Sequence, residues 1–453
     1  MIKTKELPKE VTVNSCNLCS PLGASIAFKG IKNCMAILHG SQGCATYIRR
    51  YMIAHFREPV DIASSSFTED TAVFGGGEKL KNGIDNIISQ YNPEVIGIAT
   101  SCLSETIGDD VSRYIQEYQK ERTAMNLPEI ILTSTPSYNG NHETGFFKTQ
   151  RALVEHLCSQ QEKTEQFTAF INIISPEDIR QLKEIFQSFN YSYILMPDFS
   201  DTLDGGSWKE FNKIPPGGTS VDEISRVSSS KTNIEFSICI NSKISPGDYL
   251  FERFNIPNIQ LPIPIGIKAT DQLMTALEEI TNTTIPINLE NQRRRLIDAY
   301  SDAHKYIFGK KVAIIGHGDL VYSLASFISE VGMIPLICST GGTHEKLIPL
   351  LTQIAEEYHY PVPQICLDYD HDDIESELEG NDIDLIIGSS KAYKMAKKLK
   401  KPLIRIGFPI HDRFGAAAKL TIGYQGTRSL LNEIVNLFIQ IQQDENPVGY
   451  TYQ

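Results

Sequence analysis

One pattern recurs along this chain and restricts its fold more than any other feature. A short run of β-branched and apolar residues gives way to a loop rich in Gly, Ser or Pro, and then to apolar residues at helical spacing. Asn92–Thr100 (NPEVIGIAT) opens with Pro93 and reads as a strand apolar on both faces, as inside a parallel sheet. The loop Ser101–Gly108 follows, and Val111, Tyr114, Ile115 and Tyr118 then repeat at helical spacing, with Thr106 and Asp109 expected to cap that helix. Phe167–Ile174 repeats the pattern. Ser175 is its predicted N-cap and Pro176 takes the first helical position, where a missing N–H costs nothing. Lys311–Ile315, Ile383–Gly388 and Leu403–Gly407 read as further strands. Alternation this dense predicts an α/β protein of doubly wound, Rossmann-like domains with parallel sheets.

The length of 453 residues suits three such domains, placed at 1–160, 161–285 and 286–453. Pro215–Thr232 is a Gly/Ser-rich loop inside the second, and Asn288–Phe308, with Arg293, Arg294 and Arg295, is one long helix entering the third. Lys and Arg total 42 against 55 Asp and Glu, a net charge of −13 that argues against a nucleic-acid or anionic-membrane partner. No apolar run approaches the ~20 residues of a membrane span. Met1–Glu10 is polar and charged, unlike a secretory signal, so a cytoplasmic protein is expected.

Five of the nine cysteines fall in the first quarter: Cys16, Cys19, Cys34, Cys44 and Cys102. Cys19 starts CSPLGA, Cys44 ends HGSQGC after the run Met35–Leu38, and Cys102 follows the strand that ends at Thr100. All three are expected at or near strand-to-helix loops at one end of a sheet, where doubly wound domains bind ligands. Cys34, Cys158, Cys239, Cys338 and Cys366 read as buried structural thiols. Four chemistries compete for the others. They are structural burial, a zinc site begun by Cys16-x-x-Cys19, a nucleophilic Cys44 five residues past His39, and an iron–sulfur cluster. A cubane takes four ligands, so three loop cysteines leave it short. Cys16, a hydroxyl or a second chain must complete it.

These segments resemble the β-type subunits of the nitrogenase component I superfamily. The resemblance rests on CSPLGA (19–24), HGSQGC (39–44), HFREP (55–59), TEDTAVFGG (68–76), TSCLSETIGDD (100–110) and TPSYNGNH (135–142), then on PDFSDTLDG (197–205), GFPIHDRFG (407–415) and GYQGT (423–427), in family order along nearly the whole chain. It implies three Rossmann-like domains. It also implies that Cys19, Cys44 and Cys102 hold half of a P-cluster, and that Ser137 matches a serine able to bind that cluster when oxidised. Phe74 matches an aromatic where the ATP-dependent Fe protein docks. In NifN-type members the Cys44 position instead ligates a [4Fe-4S] cluster whose other ligands come from a NifE-like chain.

YIRRYMIAHFREP, PDFSDTLDGGSW and GFPIHDRFGA look more like such maturation scaffolds. The reading taken from the sequence is therefore a NifN-like subunit in an α2β2 assembly with a NifE-like chain. Its role would be to support iron–molybdenum cofactor biosynthesis, with the cofactor precursor held mainly by the partner and the shared cluster relaying electrons from the Fe protein. The alternative is the β-subunit of a catalytic nitrogenase or nitrogenase-like reductase, paired with a NifD-like chain. A stand-alone thiol protein is a third, remoter class. No catalytic or small-molecule cofactor residue is assigned to this chain, and His39 is assigned loop packing and no metal.

Weaker signals have ordinary readings. Gly75-Gly76-Gly77 suits a helix entry better than an anion-binding nest, and Gly316-His317-Gly318 is a βα turn that lacks the third glycine of a dinucleotide fingerprint. The lysines of 394–401 and the acids Asp370, Asp372, Asp373, Glu375 and Glu377 read as solvated helix faces.

Overall fold

The computed structural model describes residues 2–4, 15–122, 126–207 and 209–448, with the backbone only for 2–4. Apart from Ile2–Thr4, the polar stretch Met1–Glu10 lies outside the described residues. Three parallel sheets organise the chain, as the alternating pattern predicts. In the first, the strands run in the order Ala63–Ser64, Cys34–His39, Val95–Thr100 and Glu129–Thr133. The second runs Ser192–Met196, Gln166–Phe170, Thr232–Glu235 and Asn258–Gln260. The third has six strands, in the order Ile2–Thr4, Gln364–Leu367, Ile334–Ser339, Lys311–Ile315, Leu385–Gly388 and Leu403–Arg405. Its order reverses at Lys311–Ile315, so the turn Gly316–Gly318 sits at a topological switch point.

Central strands are buried on both faces. Every residue of Cys34–His39 and of Val95–Thr100 is buried, because helices cover both sides of the sheet. One of these, Ser20–Lys29, is buried all round, which its composition allows: only Ser20, Ser25 and Lys29 of SPLGASIAFK are polar. It crosses the helix His142–Leu157 at two glycines. A Cβ on Gly23 would stand 1.7 Å from the His142 carbonyl oxygen, and one on Gly145 would stand 1.9 Å from that of Ser20. The two backbones touch, and only glycine permits it.

Local caps agree with the sequence in part. Ser175 caps Pro176–Ser188, its Oγ accepting the Asp178 N–H at 2.9 Å. Thr106 does not cap the helix Val111–Glu121. Asp110 does, accepting the Arg113 N–H at 3.0 Å, while the Thr106 hydroxyl donates back to the Cys102 carbonyl at 2.7 Å. Asp370 is a buried N-cap bonded to the Asp372 and Asp373 N–H groups, not a solvated charge. Glu375 pairs with Lys398 across two helix faces. Pro215–Thr232 is more ordered than a loop: Ser220 caps a short helix Val221–Ser225 before the strand begins at Thr232. The long helix is observed at Ile287–Ile307. No helix among the described residues is long and apolar enough to cross a membrane.

Candidate functional site

Parallel pairing from Cys34↔Val95 to His39↔Thr100 brings the ends of two central strands level. The turns that follow therefore lie side by side. The Ser101 N–H donates to the His39 carbonyl at 3.1 Å, and a Cβ on Gly40 would lie 2.2 Å from the Ser101 hydroxyl. Out of the first turn rises the helix Gln42–Phe56, which carries Cys44 in its opening turn. Cys102 opens the short helix Cys102–Thr106, capped by Ser101. Cys19 is the residue before the helix Ser20–Lys29 and bridges to Asn141 at the head of His142–Leu157.

All nine cysteines are free of disulfides, and Cys19, Cys44 and Cys102 are the exposed ones. Ser137 ties two of them. Its N–H donates to the Cys102 sulfur at 3.1 Å, and its Oγ accepts the Ser20 N–H, next to Cys19, at 3.3 Å. The Ser41 hydroxyl lies 3.6 Å from the Cys44 sulfur. Cys34, Cys239, Cys338 and Cys366 are buried and Cys158 is half-buried, donating to the Ile224 carbonyl at 3.1 Å. Burial raises the thiol pKa of Cys34 and Cys158 to about 12, which keeps them protonated. Cys16 packs against the apolar core of the third sheet while Cys19 faces outward, so the two do not form half a zinc site. Among the described residues no three His, Cys, Asp or Glu side chains gather around a single metal position. The three exposed thiols do not by themselves enclose an ion.

That donor set suits an iron–sulfur cluster. Soft, disulfide-free sulfurs stand at the N-terminal ends of helices, Cys19 just before one and Cys44 and Cys102 in first turns, and two of them meet N–H or O–H donors of the kind that stabilise anionic sulfur.

His39 packs as expected. It is buried, with Nε2 3.1 Å from Asp109 Oδ2 and its ring edge-on to Phe67, and burial lowers its pKa against the pull of Asp109. Asp109 also accepts the Gly76 N–H at 3.0 Å and the Tyr114 hydroxyl at 3.1 Å. The Gly-rich helix entry is thus filled by the chain's own carboxylate. Beyond it, Val73 and Phe74 project from Glu69–Phe74, 75% and 85% exposed.

Sequence reasoning missed the polar junction behind the thiols. A cleft of about 1160 Å³ runs from Cys19 and Ser137 inward to Glu143 and His344. At its floor Glu143 lies 3.1 Å from His317 Nδ1 and 3.2 Å from His344 Nε2. Burial opposes the Glu143 charge, but the histidines hold its pKa down at about 2, and the carboxylate in turn raises that of His317 despite burial. Asp319, in the first turn of the next helix, accepts the Ile238 and Cys239 N–H groups and the Asn172 amide. Elements of all three sheets meet here. A lone Glu in TPSYNGNHE carries no local sign of this, and only the motif Gly316-His317-Gly318 marks the place.

A family description, nitrogenase component 1 type oxidoreductase, matches residues 19–439, a span that starts at Cys19. The chain is 36% identical over 440 residues to the nitrogenase molybdenum-iron protein beta chain of Clostridium pasteurianum, covering 95% of this chain and 94% of that one. It is 32% identical over 434 residues to the nitrogenase vanadium-iron protein beta chain of Trichormus variabilis, covering 94% and 93%. The solved structure titled "Nitrogenase Cp1 at pH 6.5" superposes with a TM-score of 0.94 at 33% identity, over 99% of this chain and 98% of that one. A second solved chain, from "Nitrogenase Cp1 at pH 5", shares the fold at 15% identity and a TM-score of 0.73. With three parallel sheets in place and the exposed thiols inside the matched span, the chain belongs to the nitrogenase component 1 family, as a β-type member.

Proposed function

We propose that this chain is the β-type subunit of an α2β2 nitrogenase-family assembly, in which Cys19, Cys44 and Cys102 supply one side of an iron–sulfur cluster shared with an α-type chain. The observation that carries this reading is the trio of exposed, disulfide-free thiols, with Ser137 bonded to the Cys102 sulfur and to the Ser20 N–H next to Cys19. Three thiolates are one short of a cubane's four, and a second chain laid over the exposed face would provide the rest. When bound, such a cluster supplies one-electron redox chemistry between the Fe protein and the partner's cofactor. The chain's own residues hold and bias it. The sheet and helix packing fix the three sulfurs, while the Ser137 N–H and the Ser41 hydroxyl favour anionic sulfur at Cys102 and Cys44. The exposed Phe74 and Val73 suit a docking surface for the ATP-dependent Fe protein.

Retention of all three thiols and of Ser137 favours a P-cluster-type half, and with it the catalytic β-subunit paired with a NifD-like chain. The molybdenum-iron and vanadium-iron names of the relatives lean the same way. The scaffold reading stays attached to PDFSDTLDGGSW and GFPIHDRFGA, and one experiment separates the two. The chain is co-purified anaerobically with its partner, iron is counted, and EPR spectra are taken reduced and oxidised. Loss of interface iron from both Cys19→Ala and Cys44→Ala, with substrate reduction when the Fe protein is added, supports the P-cluster half. Iron retained in Cys19→Ala and lost in Cys44→Ala, without substrate reduction, supports the scaffold. An iron-free complex sinks both.

A further inference from the structure

Lys391 comes from the third sheet and reaches back to the first. The strand Leu385–Gly388 runs into Ser389, whose hydroxyl accepts the Lys391 N–H at 3.3 Å and starts a tight turn, Ser390–Ala392. From there the Lys391 Nζ donates to the Ser15 carbonyl at 2.6 Å, just ahead of Cys19. It also lies 5.8 Å from the centre of the Tyr51 ring, on the helix that carries Cys44.

The turn is clamped in place. The Ser390 N–H donates to the Pro409 carbonyl at 3.1 Å, and its hydroxyl accepts the His411 N–H at 3.0 Å and bonds the Asp412 carboxylate. Arg405 forks onto the same Asp412 at 3.0 and 2.8 Å. The Ile410 N–H donates to Nδ1 of the buried His55 at 2.8 Å, at the far end of the Cys44 helix. The segments HFREP and GFPIHDRFG thereby lock the Lys391 turn to the helix that bears Cys44.

The ammonium is half-buried and burial pulls its pKa below the usual lysine value, while the Ser15 carbonyl that holds it stands four residues ahead of Cys19. A cation held this way, by one carbonyl and a ring face, is costly unless negative charge stands nearby. Two buried neighbours, His142 and His371, are pushed further toward the neutral form by the same charge. A cluster carried by Cys19 would bring net negative charge to this place.

We infer that Lys391 is the built-in counter-charge of the cluster bound at Cys19, a positioning residue that favours the reduced, more negative state. The inference rests on the proposed cluster role of Cys19. Within about 10 Å, one unit charge biases a one-electron equilibrium by roughly tenfold at an effective dielectric constant near 20. Removing it should move the midpoint potential about 59 mV more negative, the equivalent of that tenfold change for a one-electron couple.

The test uses the holo complex with its α-type partner, as wild type, Lys391→Gln and Lys391→Arg, each assayed for iron and by EPR-monitored redox titration. The expected result is full iron in all three, a roughly tenfold shift against the reduced state in the Gln variant, and little shift in the Arg variant. Full iron with an unmoved potential in Lys391→Gln overturns the inference, as does an Arg variant that shifts as far as the Gln variant. If the Gln variant folds by circular dichroism but takes up no iron, loading in the Arg variant supports the need for charge, and no loading there overturns it. A wild-type complex without iron would overturn the cluster reading itself.

Discussion

The crossing of Ser20–Lys29 over His142–Leu157 can be tested with one methyl group. Gly145→Ala places a Cβ 1.9 Å from the Ser20 carbonyl oxygen, where carbon and oxygen normally settle near about 3.3 Å. The obstacle is backbone, not the tip of a flexible side chain, so the helices must part by about 1.4 Å or tilt. Neither has room. The first helix is buried all round, and Phe146 and Phe147, next to the substitution, are fully buried. Overpacking of this kind costs about 1–3 kcal/mol, and the upper end applies where neither wall relaxes. Parting the helices also strains the bond from the His142 N–H to the Leu18 carbonyl, 2.9 Å long, and the Cys19–Asn141 bridge, which together position Cys19. Urea unfolding of the iron-free chain should therefore show a lower midpoint for Gly145→Ala. Gly380→Ala, whose Cβ meets nothing within 4 Å, should stay within about 0.5 kcal/mol of wild type. The loaded complex should also lose iron as Cys19 is displaced. A Gly145→Ala chain with the wild-type midpoint and full iron would refute the reasoning.

Three further outcomes rest on buried charge and exposed rings. Burial holds His55 and His142 uncharged, with pKa values near 3, and His371 near 4, against 6.5 for an exposed imidazole. The unfolded chain therefore takes up protons first. Their share of the stability is whole above about pH 6.5 and is lost as pH falls toward 3, at about 1.4 kcal/mol per pH unit for each histidine. Unfolding free energies measured between pH 7 and 5 should fall along that slope, and a flat profile would contradict it. Asp109→Ala strips partners from His39, Gly76 and Tyr114 at a side chain only 3% exposed, and should cost about 2–4 kcal/mol in thermal or urea unfolding. Phe74→Ala should leave unfolding within about 0.5 kcal/mol, because the ring is 85% exposed, yet weaken Fe-protein binding about tenfold in a pull-down or kinetic titration.

What the sequence discloses here is local. NPEVIGIAT is a buried central strand because every residue of Val95–Thr100 meets a helix on one face or the other, and that needs no knowledge of which helix. Ser175-Pro176 is a helix start for reasons contained in four residues. Cys44 and Cys102 stand out by their place after strands, and the register of Cys34–His39 with Val95–Thr100 supplies the proximity of their turns, whereas Cys19 precedes its helix with no strand just ahead of it. Contacts between distant segments are not legible in this way. Thr106 with Asp109 is the cap the sequence points to, and the role falls to Asp110 because Asp109 is turned inward to hold His39 and Gly76. Asp370 looks like one acid among several until the fold buries it. The Glu143–His317–His344 junction joins residues nearly two hundred positions apart, and no periodicity in any one segment announces it.

Strand order also sets a timetable. Ile2–Thr4 forms the edge of the third sheet by pairing with Ile365, Cys366 and Leu367, which leave the ribosome hundreds of residues later. At ordinary translation speeds of about 5–20 residues per second, this first strand waits roughly 20–70 s for its partner. Lys391, which clasps the Ser15 carbonyl, emerges later still. The first sheet, with Cys44 and Cys102, can be complete before either the Ile2–Thr4 pairing or the bond at the Ser15 carbonyl exists. Cys19 itself is held earlier, by its bridge to Asn141 and by the bond from the His142 N–H to the Leu18 carbonyl, so what waits for the rest of the subunit is the chain ahead of it, not the thiol.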